Sequence, residues 1–253
     1  EAGDRDRGGI GAEQRFRLEM RLELLEDLAL DFLVLRRRLD DEVAILEQRI
    51  VEAGPDAALV VAPYYNKPTQ DGMFAHFSEI AKSVKGFPIM LYNVPSRTSS
   101  NISAETTLRL AEKHENIVAT KEASGNFSQV MHIIGNRPKN FKIFSGDDAT
   151  ALPLISLGAD GLVSVCSNEI PKETAKMVAK ALDGAHTASR KIHYEILPLM
   201  EANFIESSPA PCKFVMKEMG LLEENLRLPL VPVTAETRVK LKAVIKNIHV
   251  AIK

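Results

Sequence analysis

The chain has 253 residues, of which 45% are hydrophobic, and this is enough to bury the core of one α/β barrel or of two small domains. Its formal net charge of −2 argues against a nucleic-acid partner, and no apolar run approaches the ~20 residues of a membrane span. Cys166 and Cys212 have no paired spacing, and the first residues lack the apolar stretch of a secretory signal, so we expect a cytoplasmic protein.

The first fifty residues differ in composition from the rest of the chain. All nine of their basic residues are arginine, and the first lysine of the chain is Lys67. We therefore predict that residues 1–40 are an atypical charged segment of uncertain fold. Residues 41–170 are interpreted as successive βα units, and residues 171–253 as a set of helices.

A regular alternation of apolar runs and helical patterns begins near residue 56. Five runs have the length and the nearly continuous apolar character of buried parallel strands. They are residues 57–62, 89–92, 117–121, 141–145 and 162–165. Between them, Phe74, Phe77 and Ala81 fall at helical spacing, and Ser103 is placed to cap another helix. Repeating βα units predict a parallel sheet covered by helices, either doubly wound or closed into a (β/α)₈ barrel.

After the fifth run the pattern becomes entirely helical. Four segments have apolar residues at helical spacing, and prolines mark the connections between them. They are residues 171–183, 187–206, 210–219 and 234–252. We predict that these helices form a C-terminal extension of the α/β unit.

Polar residues collect directly after the apolar runs, where barrel enzymes carry their active sites. Lys121 ends the third run. A lysine that is partly desolvated at such a position has a lowered pKa, and its neutral amine can attack a ketone. The alternative interpretation is a lysine whose charged end reaches solvent or an ion pair.

Two further residues could serve the same site. Tyr92 ends the second run, and its phenol could transfer protons if it faces Lys121, although a strand tyrosine is more often part of the core. Arg97 follows in a turn stiffened by Pro95, and its planar guanidinium could bind a carboxylate, although most loop arginines are simply solvated.

Other chemistries have little support in the sequence. The six histidines include no His-Glu-x-x-His pair that would indicate a metal site. A phosphate-binding Gly-Lys-Ser/Thr loop is also missing. The sequence therefore gives no positive evidence for metal or nucleotide chemistry.

Four motifs together resemble the dihydrodipicolinate synthase family in their order and spacing. They are Pro63-Tyr64-Tyr65-Asn66-Lys67-Pro68, Leu91-Tyr92-Asn93-Val94-Pro95-Ser96-Arg97-Thr98, Lys121-Glu122-Ala123-Ser124-Gly125-Asn126 and Ser145-Gly146-Asp147-Asp148-Ala149. The resemblance runs from about Asp40 to the C-terminus. It implies a (β/α)₈ TIM barrel, incomplete or irregular at its N-terminus, followed by a C-terminal helical extension.

The resemblance also implies roles for single residues. Lys121 matches the lysine that forms a Schiff base with pyruvate, and Tyr92 matches the tyrosine that relays protons. Tyr65 resembles the tyrosine that reaches across a dimer interface to complete the relay of a neighbouring subunit. Arg97 matches the arginine that holds the carboxylate of aspartate semialdehyde. Val163 falls at the apolar position that contacts pyruvate.

By this resemblance the chain is expected to be a lyase that condenses pyruvate with L-aspartate semialdehyde. The product is 4-hydroxy-tetrahydrodipicolinate, from which diaminopimelate and lysine are made. The family needs no metal or organic cofactor, and its members are homo-oligomers, tetramers built as dimers of dimers. The related N-acetylneuraminate lyases are an alternative, but they usually lack the Pro-Ser-Arg-Thr turn that contains Arg97.

One feature of the family has no match in residues 1–60. Family members carry a Gly-Thr-Thr-Gly-Glu loop after their second strand, which binds the pyruvate carboxylate and supplies a relay threonine. Phe32–Leu35 is interpreted as a substitute for the third strand, and Glu42–Asp56 as the third helix. Three hypotheses therefore stay open: an active synthase, an active lyase with another aldehyde substrate, and a catalytically impaired relative.

Overall fold

The computed structural model describes residues 56–248, and a parallel β-sheet forms the centre of this part of the chain. Each of the five strands pairs with the next one along the sequence. The strands are β1 (Ala58–Val61), β2 (Ile89–Asn93), β3 (Ile117–Glu122), β4 (Lys142–Ser145) and β5 (Gly161–Leu162). Sequential parallel pairing is how successive units of a (β/α)₈ barrel are arranged. The predicted α/β fold with a parallel sheet is confirmed for these residues.

Helices connect the strands, as the periodicity predicts. They are α1 (Gln70–Ser83), α2 (Pro95–Thr98), α3 (Ala104–Lys113), α4 (Phe127–Asn136) and α5 (Ala151–Ser156). Side-chain oxygens accept hydrogen bonds from the first free amides of three of them: Thr69 from Gly72, Ser103 from Thr106, and Asn126 from Gln129. The predicted cap at Ser103 is confirmed, with an oxygen-to-nitrogen distance of 3.2 Å.

Apolar side chains of the sheet and of these helices form one hydrophobic core. Five of its members are completely inaccessible to solvent and come from five different elements. They are Phe77, Leu91, Leu110, Ile133 and Ile143. Burying each such side chain contributes about 1.5–3 kcal/mol, so this core fixes the strands whose carboxyl ends carry the predicted site.

The C-terminal part of the described chain is helical and has a core of its own. Its helices are α6 (Pro171–Leu182), α7 (His186–Ala202), α8 (Ala210–Glu218) and α9 (Ala235–Asn247). Met177, Ile196, Phe214 and Leu241 are buried where these helices meet. Within residues 56–248, no helix is both long enough and apolar enough to cross a lipid bilayer.

Two predicted element boundaries are wrong. Residues 163–165 were expected to continue the fifth strand, but β5 ends at Leu162, because the Asp148 carboxylate binds the amides of Val165 and Cys166 and draws the chain out of the sheet. Residues 203–206 were expected to be helical, but α7 ends at Ala202, where the Asn203 side chain is hydrogen-bonded to Glu169.

Some predictions fall on residues that the structure does not describe. The substitute third strand at Phe32–Leu35 lies outside the described residues, as does almost all of the third helix predicted at Glu42–Asp56. The boundary between residues 40 and 41 lies there too and stays a prediction.

Candidate active site

Three side chains at the ends of neighbouring strands lie side by side because their strands are in register. Tyr92 of β2 is paired with Lys121 of β3, and Lys121 is paired with Phe144 of β4. Side chains paired in this way project from the same face of a sheet. The Lys121 Nζ atom lies 4.3 Å from the centroid of the Tyr92 ring. The two residues predicted to share the chemistry are therefore in contact.

The environment of Lys121 favours its neutral amine. Partial burial lowers the pKa of Lys121 below its ordinary value, because a charged ammonium loses hydration there. The negative charge of Asp148 partly offsets this effect, whereas the positive charge of Arg97 adds to it. A lysine with a lowered pKa has more free amine near neutral pH, and the free amine is the nucleophile that a Schiff base requires.

Gly146 provides the space that the Lys121 side chain occupies. A Cβ atom at position 146 would lie 3.0 Å from Cε of Lys121, and only 2.8 Å from Cβ of Ala123. No larger residue fits without displacing one of them. The loop after β4 therefore holds the lysine in place from the side opposite to its aromatic neighbour.

Tyr92 and Arg97 stand together at the end of β2. Burial raises the pKa of the Tyr92 phenol, and the positive charge of Arg97 partly offsets this rise. The phenol is thus protonated at neutral pH and can donate a proton. Arg97 lies on the short helix α2, is exposed to solvent, and its guanidinium is available to an anionic group.

The opposite face of the same strands carries a buried polar network. Glu122 is 2% exposed, and its two carboxylate oxygens accept hydrogen bonds from the side-chain amides of Asn93 and Gln129 and from the backbone amide of Ser124. Asn93 Nδ2 also donates to Asn101 Oδ1 at 2.9 Å. These bonds connect β2, β3 and α4 directly behind the Tyr92 and Lys121 pair, and they restrict its movement.

A second buried carboxylate fixes the loop after β5. Asp148 is 1% exposed and accepts hydrogen bonds from the Ser164 hydroxyl and from the amides of Val165 and Cys166. The loop after β4 therefore holds the loop that begins at Val163. The same carboxylate supplies the negative charge felt by Lys121.

A cavity of about 740 Å³ opens at this end of the sheet. The loops after β2, β3 and β4 line one side, and the segment that follows α7 lines the other. Lining residues include Tyr92, Arg97, Asp147, Glu201, Phe204 and Ser208. Lys121 is not among the lining residues but lies directly behind Tyr92 and Gly146. The cavity is large enough for two small carboxylic acids, and Tyr92 and Arg97 both line it.

Comparison with known proteins decides which enzymes share this arrangement. Residues 41–248 match the model of the dihydrodipicolinate synthetase family. A 4-hydroxy-tetrahydrodipicolinate synthase from Koribacter versatilis is 50% identical over 204 residues, which are 78% of this chain and 67% of that protein. The chain belongs to the dihydrodipicolinate synthetase family. The resemblance seen in the four motifs is thereby confirmed.

Further relatives agree, and they show how much of the family protein this chain spans. The synthase of Chloroherpeton thalassium is 47% identical over 76% of this chain and 63% of its own length. A solved structure of the Acinetobacter baumannii dihydrodipicolinate synthase, complexed with pyruvate, is 38% identical with a TM-score of 0.77. That match covers 81% of this chain and 70% of the other. The chain thus spans about two thirds of the length of the Koribacter and Acinetobacter proteins, and 63% of the length of the Chloroherpeton protein.

The structure places the five residues predicted for the family reaction in different surroundings. Tyr92 and Arg97 line the cavity, and Lys121 touches Tyr92. Tyr65 is 87% exposed, has a φ of 63°, and does not line the cavity. Val163 follows β5, where its amide donates to the Ser145 carbonyl at 2.9 Å, and it does not line the cavity either.

Sequence reasoning missed two parts of the synthetase-family site. It assigned no role to Gly146 or Asp147, although both lie in a recognised motif. It also interpreted residues 204–206 as part of a helix, whereas Phe204 to Ser208 form a wall of the cavity. Residues 204–208 lie far from Lys121 along the chain, so no local pattern in the sequence indicates that they line the cavity beside it.

Burial raises the pKa of Asp147, and the charge of Asp148 adds to this rise, while the Ala149 amide offsets part of it. The side chain therefore holds a proton more readily than an exposed aspartate.

Within the described range of the chain, no group of three or more His, Cys, Asp or Glu residues is arranged to hold a metal ion.

Proposed function

We propose that the chain is a 4-hydroxy-tetrahydrodipicolinate synthase, a Schiff-base lyase that condenses pyruvate with L-aspartate semialdehyde in lysine and diaminopimelate biosynthesis. The observation that carries the proposal is the contact between Lys121 and Tyr92, beside a cavity that Tyr92 and Arg97 line. The curated relatives named as this synthase support the same reaction.

The first half of the reaction follows from the chemistry of the amine. The neutral Nζ of Lys121 attacks the keto carbon of pyruvate, and loss of water leaves a protonated Schiff base. Loss of a proton from the pyruvate methyl group then gives an enamine. The amine is in contact with the Tyr92 ring, so the Tyr92 phenol carries these protons in our proposal. The pyruvate complex of the Acinetobacter relative supports this choice of first substrate.

The second half joins the two substrates. The enamine carbon attacks the aldehyde of aspartate semialdehyde, and the amino group of that substrate then displaces the lysine and closes the ring. Arg97 binds the carboxylate of the second substrate, because an exposed guanidinium that lines the cavity can form two parallel hydrogen bonds to it. Val163 does not line the cavity, but it directly follows β5 at the same end of the sheet, and this position supports the apolar contact to pyruvate that the family resemblance implies.

Tyr65 acts in a neighbouring copy of the chain in this proposal. Its side chain is almost fully exposed and lies outside the cavity of its own chain, which suits a residue that contacts another subunit. The proposed assembly is accordingly a homo-oligomer, and the proposed setting is the cytoplasm. Light scattering together with activity at decreasing protein concentration tests the assembly, because a monomer should lose the Tyr65 contribution.

Reductive trapping tests the proposed function. We expect borohydride with pyruvate to leave a stable adduct on the peptide that contains Lys121, and Lys121→Ala to remove it. Lys139→Ala, which changes an exposed lysine, is the matched control and should keep the adduct. An adduct-free wild type would overturn the proposal. Turnover with N-acetylmannosamine instead of aspartate semialdehyde would point to the related lyases.

A further inference from the structure

A buried carboxyl group beneath the cavity has no role in the proposed reaction. Glu169 directly follows the 3₁₀ helix Cys166–Asn168 and is 2% exposed. Asn203, at the end of α7, is completely buried, and its Nδ2 donates to Glu169 Oε2 at 2.7 Å. This hydrogen bond joins two places that are 34 residues apart in the chain.

The position of Asn203 makes this bond relevant to the cavity. The next five residues, Phe204 to Ser208, form the wall that faces Tyr92 and Arg97 across the cavity. The wall is not helical. One side-chain bond fixes its beginning, from Asn203 to Glu169, and another fixes its middle, where Glu206 accepts from the backbone amide of Thr234 at 3.0 Å.

Few donors reach the Glu169 carboxyl group: the side-chain amide of Asn203 and the thiol of Cys212. Glu169 Oε1 and Asn203 Oδ1 have no hydrogen-bonding partner among the described residues. The titratable groups that face Glu169 are Asp148 from the loop after β4, Cys166 from the 3₁₀ helix and Cys212 from α8. None of them is a cation. Protonation of Glu169 would avoid a buried negative charge that no cation neutralises.

The pKa of Glu169 agrees with this description. Burial raises it to about 8, the nearby charge of Asp148 adds to the rise, and the hydrogen bond from Asn203 lowers it in part. Glu169 is therefore mostly protonated at neutral pH. Above pH 8 it ionises in a site that has no positive charge to receive it.

We propose that Glu169 is a positioning residue, which holds the wall formed by residues 204–208 against the loops that carry Lys121 and Arg97. The protonated carboxyl group acts through Asn203 and touches no substrate. Removing the Glu169 carboxyl group leaves the amine of Lys121 intact but loosens the side of the cavity where the second substrate is enclosed. For its kinetic consequences this inference rests on the proposed synthase function.

Hydrogen exchange of the wall tests the inference without any turnover. In Glu169→Ala we expect the amides of Phe204 and Ile205, which donate to the carbonyls of Glu201 and Ala202, to exchange about ten-fold faster, the effect of losing one buried hydrogen bond. Glu169→Gln keeps an oxygen that can accept from Asn203, and should retain wild-type protection. Thr174→Val is the matched control, because it removes a buried hydroxyl bonded to Ile170 and leaves the Glu169–Asn203 bond in place.

The pH dependence of exchange provides a second arm. After correction for intrinsic exchange, protection of the Phe204 and Ile205 amides should fall in the wild type between pH 7 and pH 9. It should stay constant in Glu169→Gln, which has no proton to lose. Unchanged protection in Glu169→Ala, or an equal loss in Thr174→Val, overturns the inference.

Steady-state kinetics distinguish this inference from the proposed function. In Glu169→Ala we expect the KM for aspartate semialdehyde to rise about ten-fold, while pyruvate trapping on Lys121 continues at the wild-type rate. Glu169→Gln should restore the KM at pH 7. A loosened wall with an unchanged KM would contradict a positioning role. A wild type that forms no pyruvate adduct would contradict the proposed function alone, and the exchange experiment would still decide the structural claim.

Discussion

The ammonium group of Lys121 lies over the ring of Tyr92, with its nitrogen 4.3 Å from the ring centroid. This contact combines two opposing effects on the lysine. The ring face attracts the charged form by about 0.5–2 kcal/mol, whereas partial burial disfavours it. The net result is a lowered pKa for Lys121. Burial is the largest cause of this lowering, and the contact with the ring also holds the amine beside Tyr92.

Removing the phenol while keeping the ring separates the two roles of Tyr92. In Tyr92→Phe we expect pyruvate trapping on Lys121 to persist, because the aromatic contact remains. The kcat of condensation should fall by about 10²- to 10⁴-fold, because the proton relay is lost. Tyr194→Phe, at an exposed position on α7, is the control and should behave like the wild type in both assays. An unchanged kcat in Tyr92→Phe would remove Tyr92 from the relay.

The lowered pKa of Lys121 has a direct experimental consequence. Its reaction with an amine-specific reagent should reach half its maximal rate at a lower pH in the folded protein than in urea, where burial is lost. Arg97→Ala should move the midpoint to higher pH, because the charge of Arg97 lowers the pKa. Arg97→Lys retains a positive charge and should move it less. Mass spectrometry of the labelled peptide gives each midpoint, and identical midpoints with and without urea would contradict the burial effect.

A methyl group at position 146 should disturb the lysine without unfolding the protein. In Gly146→Ala the new Cβ would meet Lys121 Cε and Ala123 Cβ at 3.0 and 2.8 Å, so one of them must move. We expect pyruvate trapping to slow by at least about ten-fold, because a displaced nucleophile loses its alignment. Gly135→Ala is the matched control: its Cβ would meet nothing within 4 Å, and alanine favours the helix by about 0.5–1 kcal/mol. Equal trapping rates in the two variants would show that Gly146 is not required.

Much of this site was predictable from the sequence, because strand ends are a local signal. Continuous apolar runs predicted β2 and β3, and their polar ends made Tyr92 and Lys121 candidate site residues, to which only the family resemblance assigned roles. The regular pairing of neighbouring parallel strands then places the two side chains together. Likewise, Ser103 was recognised as a cap because capping depends on residues only three positions apart.

The remaining parts depend on contacts between distant segments. Nothing near Gly146 indicates that its missing side chain leaves room for Lys121, since 25 residues separate the two. The end of α7 was misplaced for the same reason. Helical periodicity continues past Ala202, whereas in the structure the helix ends there and Asn203 bonds the distant Glu169.

The buried network behind the site should require an acceptor-only side chain at position 122. Glu122→Gln replaces one acceptor oxygen with an amide that faces the donors of Asn93 and Gln129. We expect the free energy of unfolding to fall by about 1–3 kcal/mol, because at least one buried donor loses its partner. Urea denaturation measures this loss. Glu79→Gln, in an exposed pair with Lys82, is the control and should change stability by less than about 0.5 kcal/mol.

Glu169 should also make the folded state less stable as the pH rises. Its pKa is about 8 in the folded protein, against an ordinary value of 4.5, so the folded state binds the proton more tightly than the unfolded state does. The stability that this proton provides is fully present below about pH 4.5 and is lost as the pH rises to about 8.

The difference between wild type and Glu169→Gln isolates this contribution. Between pH 5 and pH 9 the wild type should lose on the order of a few kcal/mol relative to the variant. Histidines 76, 114 and 193, whose pKa values burial lowers, act in the opposite direction, but they are present in both proteins and cancel in the difference. Urea denaturation of both proteins across this range gives the difference directly. If the free energy of unfolding changed with pH equally in the two proteins, Glu169 would be ionised throughout this range, and a carboxylate would hold the wall of the cavity.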